Sequence, residues 1–201
     1  MKPVTLNKKI ESIARQKNGY LATEDLSQKR IPRKYLSLMV NEGSLERIGR
    51  GMYRLTDIDY SEYESYLEVT RKNPKAVICL LSALVYHGLS TINPGEVYIA
   101  VPNKIKAKLL LYTPVKVHYL APLQYESGIE QVSIRGEKVN IYNKEKTVCQ
   151  MVQFRNKYGA DLALEAIKNY VKSHPNYPKL MQYARECRVE KRMSRYLEVL
   201  A

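Results

Sequence analysis

The chain has no tryptophan, one phenylalanine, three histidines and three cysteines in 201 residues. Cys79, Cys149 and Cys187 are odd in number and far apart, so neither a zinc knuckle nor a paired redox motif is present. They read as buried thiols in a reducing cytosol. His87, His118 and His174 are scattered, with no pair at metal-ligand spacing. Ser82 precedes His87 but lacks a nucleophile elbow. Long apolar runs are also missing. The longest, Ala76 to Tyr86, is broken by Ser82 and falls short of the ~20 residues a membrane span needs. The first residues, Met1-Lys2-Pro3-Val4-Thr5, lack the apolar core of a signal peptide. These shortages argue against a metalloenzyme, a disulfide-stapled secreted domain and a membrane protein. The expectation is a soluble, cytoplasmic chain with no cofactor, no metal and no catalytic residues.

What the chain does have is positive charge. Lys and Arg number 33 against 20 acids, for a net charge of +13 and a pI near 9.5. That balance suits a polyanionic partner, because neutralising phosphates releases condensed counterions. The excess lies at both ends: residues 1–60 hold 12 basic and 7 acidic side chains, and residues 151–201 hold 10 and 5. The 17 tyrosines combine an apolar ring with a hydroxyl that reaches water or phosphate.

Leu21 to Leu55 reads as a short helix, a turn, a second helix opening at Pro32, and a hairpin pivoting on Gly49-Arg50-Gly51. That order predicts a winged helix-turn-helix over residues 1–58, whose second helix lies in the DNA major groove. Thr23 is placed to cap the first helix, with Glu24 and Asp25 in its positive first turn. Pro32 suits the first turn of the second, where its missing N–H costs nothing. Leu36, Met39 and Val40 share one face, with Tyr35 beside them, and Gly43 ends the helix. Arg33, Ser37 and Asn41 recur on the opposite side at i, i+4 and i+8, with Lys34 adjacent. Arg reads guanine and Asn reads adenine through paired hydrogen bonds, while Ser and Lys suit phosphate. Arg50 stands at the wing tip, where an arginine meets phosphate or enters the minor groove, and Arg47 and Arg54 support it. With Ser27, Gln28 and Lys29 from the preceding turn, the candidate DNA contacts are Ser27, Gln28, Lys29, Arg33, Lys34, Ser37, Asn41, Arg47 and Arg50.

Residues 59–201 predict a mixed sheet-and-helix domain, so the whole chain is α+β. The boundary falls near Asp57 to Ser61, and Ser61 to Thr70 has helical spacing. Leu80 to His87 reads as a buried helix stopped by Gly88. Val97 to Val101 reads as a strand ended by Pro102, and Val115 to Leu120 as another. Ile129 to Ile134 and Lys138 to Tyr142 flank a hairpin turn at Arg135-Gly136-Glu137. Asn143 is the expected N-cap of a helix running to Phe154. Gly159 and Asp161 open Leu162 to Val171, and two short helices follow the Pro-rich break at His174 to Tyr177. Lys144, Lys146, Arg155 and Lys157 form a possible second basic surface. So do Arg188 and Arg192, in a stripe with Arg185 and Arg195 that a break at Val189-Glu190 would interrupt.

A competing motif is present. Gly43-Ser44, twelve intervening residues and Asp57-Ile58-Asp59 match the nucleotidyltransferase signature, in which Gly-Ser binds phosphate and two Asp hold metal. Its context is wrong: Gly43 ends a helix, and the spacer already makes a wing. Glu130, Glu137 and Lys138 imitate part of a nuclease site without a suitably placed Asp before them.

The run GYLATEDLSQKRIPRKYLSLMVNEGSLERIGRGMYRL resembles the winged-helix head of AbiEi-type antitoxins of bacterial abortive-infection toxin–antitoxin systems. The blocks LSALVYHGLS, PGEVYIAVP and IYNKEKTVCQMVQFRNKYG resemble that family's body, in the same order. The resemblance runs from about Leu6 to Leu200. It implies a protein that represses its own operon by binding inverted repeats and counters a co-transcribed toxin resembling a nucleotidyltransferase, in phage defence. It also implies that the head binds DNA through Arg33, Lys34, Ser37 and Arg50 and that the body carries antitoxicity; self-association on DNA, assisted by the second basic surface, is a further expectation. Gln150 departs from the pattern, standing where an acidic residue is expected. Two other readings stand beside this one: a nucleotidyltransferase or nuclease guided by a DNA-binding head, and an ordinary regulator with a ligand-sensing body.

Overall fold

A computed structural model describes residues 3–17, 19–58, 63–107 and 113–200. The chain divides into two compact units, Met1–Glu62 and Tyr63–Ala201.

Unit one runs α1 (Pro3–Arg15), β1 (Tyr20–Ala22), α2 (Thr23–Gln28), α3 (Lys34–Asn41), β2 (Leu45–Gly49) and β3 (Met52–Leu55). The strands form one antiparallel sheet in the order β1-β3-β2. Helix, strand, two helices and a hairpin form the winged helix-turn-helix order. Leu6, Ile10, Ile13 and Ala14 line one side of α1 and pack with Leu21, Leu26, Ile31, Leu36, Met39, Leu45 and Leu55. Each fully buried Leu, Ile or Met among them is worth about 1.5–3 kcal/mol of transfer free energy.

Local details differ from the sequence expectation. The first helix of the motif is capped by Ala22 and not by Thr23. Asp25 turns back to accept the Ala22 N–H at 2.8 Å, and it also pairs with Lys17. Thr23 is instead tied to the wing, its N–H and Oγ1–H both donating to the Gly51 carbonyl at 2.9 and 3.0 Å. The second helix begins at Lys34, after a tight turn in which the Tyr35 and Leu36 N–H groups reach the Pro32 and Arg33 carbonyls. Gly43 does end that helix, at φ +75°.

Unit two runs α4 (Glu64–Lys72), β4 (Val77–Ile78), α5 (Leu80–Tyr86), β5 (Val97–Pro102), β6 (Val115–Leu120), α6 (Pro122–Glu126), β7 (Ile129–Ile134), β8 (Glu137–Tyr142), α7 (Lys144–Gln153), α8 (Arg155–Tyr158), α9 (Ala160–Val171), α10 (Tyr177–Glu186) and α11 (Glu190–Leu200). The five strands lie in the order β6-β5-β4-β8-β7. β5–β6 and β4–β8 are parallel, whereas β4–β5 and β7–β8 are antiparallel. Alternate residues of β5 enter two different cores. Tyr98 and Ala100 join α5, α7, α9 and α10, while Val97, Ile99 and Val101 join α4. Burial on both faces explains the unbroken apolar run in that strand.

The helix expected from Ser61 begins at Glu64; Asp59, Tyr60 and Ser61 lie outside the described residues. Asn143 caps α7 by accepting the Lys146 N–H at 2.9 Å. Ser82 is wholly buried, its Oγ accepting the Tyr98 N–H at 2.9 Å, so the hydroxyl braces strand against helix. His87 is likewise a bracing group, its Nε2 lying 2.7 Å from the Tyr142 carbonyl. None of the described helices is long and apolar enough to cross a membrane.

Candidate nucleic-acid interface

Helix α3 places Leu36 and Met39 in the core of unit one and leaves Lys34, Ser37, Leu38 and Asn41 exposed, with Arg33 exposed at its start. The wing folds back beside this face. Gly51, at φ +72°, closes the two-residue tip, and the double hydrogen bond from Thr23 fixes that tip against the start of α2. A cleft results between helix and wing, lined by Arg33, Ser37, Arg47, Arg50, Tyr53 and Glu24 among others. Three guanidinium groups thus stand around one concave surface against a single carboxylate. Each presents a flat fork of donors that fits phosphate oxygens or a base edge.

The structure gathers Arg33, Ser37, Arg47 and Arg50 in that cleft, and it leaves Ser27, Gln28, Lys29, Lys34 and Asn41 outside its lining. Ser27, Gln28 and Lys29 are exposed at the end of α2, with Arg33 Nη2 lying 3.5 Å from Ser27 Oγ. Lys34 extends over its neighbour Tyr35, its Nζ 5.6 Å from the ring centre. Asn41 is exposed at the last residue of the helix. Arg54, expected to support the wing tip, is engaged with Glu46 across the hairpin at 2.7 Å. Sequence reasoning missed Tyr53 as a cleft residue: it shares a strand face with the buried Leu55 and packs partly against the same core, so alternation gave no signal for it. It also missed Arg30, which sits exposed in the turn between the two helices with left-handed backbone, φ +54°.

In unit two the expected second basic surface changes membership. Lys146 does not belong to it, because its side chain is 0% exposed. The cap at Asn143 sets the phase of α7 so that Lys146 points inward. Its Nζ donates to Ser127 Oγ at 2.7 Å, lies 3.7 Å from Glu186 and sits 5.8 and 5.6 Å from the rings of Tyr142 and Tyr183. Lys144 and Arg155 are half-buried, and Arg155 donates to the Val152 carbonyl at 3.2 Å. Lys157 is exposed, with Nζ 5.4 Å from the Tyr158 ring centre.

Arg188 and Arg192 do meet other cations. With Arg185, Lys191 and Arg195 they line one open cleft at the junction of α10 and α11. The chain breaks there, Arg188 taking a left-handed φ of +57°. The bend, and not one continuous helix, brings these side chains together. Arg185 is paired with Glu190 at 2.6 Å.

The nucleotidyltransferase-like motif lacks its context in the folded chain. Gly43 follows a helix, and Asp57 is held by Arg15 in an ion pair; Asp59 lies outside the described residues. Among the described residues no cluster of three or more His, Cys, Asp or Glu is arranged to hold a metal ion. Glu137 of the nuclease-like group is bound by Arg71.

Residues 8–56 match a family model described as "Transcriptional regulator, AbiEi antitoxin". A crystal structure of the RV2827C protein from Mycobacterium tuberculosis is 14% identical over 98% of this chain and 82% of that one, with a TM-score of 0.44, a distant likeness. No curated protein matches the chain. The matched segment takes in α2, α3 and the wing, the elements that build the cleft. Over residues 8–56, therefore, the head is similar to the AbiEi antitoxin family of transcriptional regulators.

Proposed function

We propose that the protein is an autorepressor and antitoxin. Its head binds inverted repeats upstream of its own operon, and unit two counters a co-transcribed nucleotidyltransferase-like toxin in phage abortive infection. The observation that carries the DNA-binding part is the convergence of Arg33, Ser37, Arg47 and Arg50 between α3 and the wing. In this reading α3 enters the major groove. Arg33, at the N-terminal end of the helix, reads a guanine edge, and Ser37 and Lys34 meet phosphates. Arg50 reaches the flanking backbone or the minor groove, with Arg47 beside it, while Ser27, Gln28 and Lys29 approach the backbone before the recognition helix. The cations at the α10–α11 bend offer a second surface for DNA, assisting bending or assembly of copies on adjacent repeats. Inverted repeats imply one head per half-site, spaced by about one helical turn or a multiple of it.

The test is binding of the full chain to DNA from upstream of its own gene. Arg33→Ala is expected to lower specific affinity by about 1–3 kcal/mol with little effect on random duplexes. Arg50→Ala is expected to weaken all duplexes alike and to flatten the salt dependence by about one unit in the log–log slope. Unchanged binding in both variants removes the head as the DNA surface. The antitoxin half is tested by co-expression with the adjacent gene: growth arrest that this chain does not relieve removes it.

A further inference from the structure

The outward face of α3 is not uniformly polar. Leu38, midway along the helix, is 47% exposed and is absent from the packed core of unit one. At about 100° per residue, Leu38 follows Ser37, Asn41 and Lys34 around the helix and lies on the flank turned from the wing. Arg33 and Ser37, on the other flank, line the cleft. The helix therefore presents two chemistries side by side: guanidinium and hydroxyl near the wing, aliphatic surface and an amide away from it.

A recognition helix has a use for such an aliphatic group. In the major groove an A·T pair shows one feature that no other pair has, the 5-methyl of thymine, and apolar side chains read it by contact. Asn41 lies three residues beyond Leu38, about 4.5 Å along the axis. That exceeds the roughly 3.4 Å base step of DNA by about 1 Å, within the reach of these side chains, and Asn is the side chain that pairs with adenine. An aliphatic chain and an amide at this spacing fit neighbouring A·T pairs.

We propose that Leu38 is a specificity-determining residue whose side chain lies against the 5-methyl of a thymine, so that the distal half of α3 selects A·T pairs. This rests on the head being the DNA surface and adds which bases one part of it demands.

The experiment uses the full chain and the tightest duplex it selects from a random pool, each thymine replaced in turn by deoxyuridine. That change removes one methyl and leaves pairing intact. For the unmodified protein, one uracil position is expected to cost about fourfold in affinity, the worth of one buried methyl. In Leu38→Ala, its folding checked by circular dichroism, the thymine duplex is expected to bind at least about fourfold more weakly. The same uracil should then change affinity by less than about 1.5-fold. If no uracil position matters, or its cost is undiminished in Leu38→Ala, the inference is overturned. The head reading survives that outcome provided that Arg33→Ala still weakens the selected duplex. A chain that selects no duplex overturns both.

Discussion

Lys146 illustrates how one side chain can change its role between sequence and structure. Its amino group is enclosed, where Ser127 accepts from it, Glu186 lies beside it and two tyrosine rings offer their faces. Removing one partner of such a group strands the other. Lys146→Ala is expected to destabilise unit two by about 3–5 kcal/mol, and Lys146→Met by less, since methionine fills the space without a charge. Chemical denaturation checks the order; equal losses would mean that the lost ammonium contacts, and not packing, set the cost. His118 makes a second residue-scale case. Burial first, then Lys157 and Lys116, hold its pKa down to about 4, and its Nε2 lies 2.7 Å from the Tyr158 hydroxyl. A free histidine takes up its proton near pH 6.5. Between those values the unfolded chain binds the proton and the folded chain does not. The His118 contribution is thus complete above pH 6.5, declines as the pH falls, and is gone near pH 4. Melting curves of the wild type and His118→Gln should differ in slope across that window, the variant being flatter. Parallel curves would place the proton uptake elsewhere.

At the scale of elements, the position of the wing depends on a close approach. Gly51 has φ +72°, and a Cβ there would come within 2.9 Å of Thr23 Oγ1, the group that holds the wing tip to α2. Gly51→Ala is expected to cost about 1–2 kcal/mol of head stability through the left-handed backbone alone. It should also weaken DNA binding by displacing Arg50, read by melting and by gel shift in parallel. A variant that binds normally despite the lost stability would show that the wing tip can move without consequence. Much at this scale was legible in the sequence. Helix α3, its Gly43 stop, the hairpin at Arg50 and the Asn143 cap all follow from local chemistry, because capping, turns and amphipathic spacing act over a few residues. The missing pieces were those without strong local signals. β1 is three residues long and exists because β3 pairs with it. Ala22 caps α2 because Asp25 folds back onto its N–H.

At the scale of the molecule, the charge excess divides between two surfaces. One lies between α3 and the wing, and the other at the α10–α11 bend. Among the described residues Arg188, Lys191, Arg192 and Arg195 have no acidic partner in an ion pair, so their field reaches solvent. The double substitution Arg188→Glu and Arg192→Glu is expected to leave base preference unchanged while reducing the salt dependence of binding, by about one unit of log–log slope for each phosphate no longer neutralised. It should also lower any bend angle measured by gel mobility. A changed base preference would instead place these arginines near the groove. The Cys79, Cys149 and Cys187 thiols, all free and buried, have their pKa values raised by that burial and stay protonated at neutral pH.

Composition and local pattern determined the α+β class, the order of elements in the head and the cationic character of both ends. These depend on backbone preference, side-chain periodicity and charge, which each short segment carries with it. Tertiary structure alone decided which cations remain outside. It enclosed Lys146, occupied Arg54 with Glu46 and folded the arginines of the α10–α11 bend around one cleft. Burial is a property of distant segments meeting: Ser127 and Glu186 are far from Lys146 in the chain, and only packing brings them to its ammonium group.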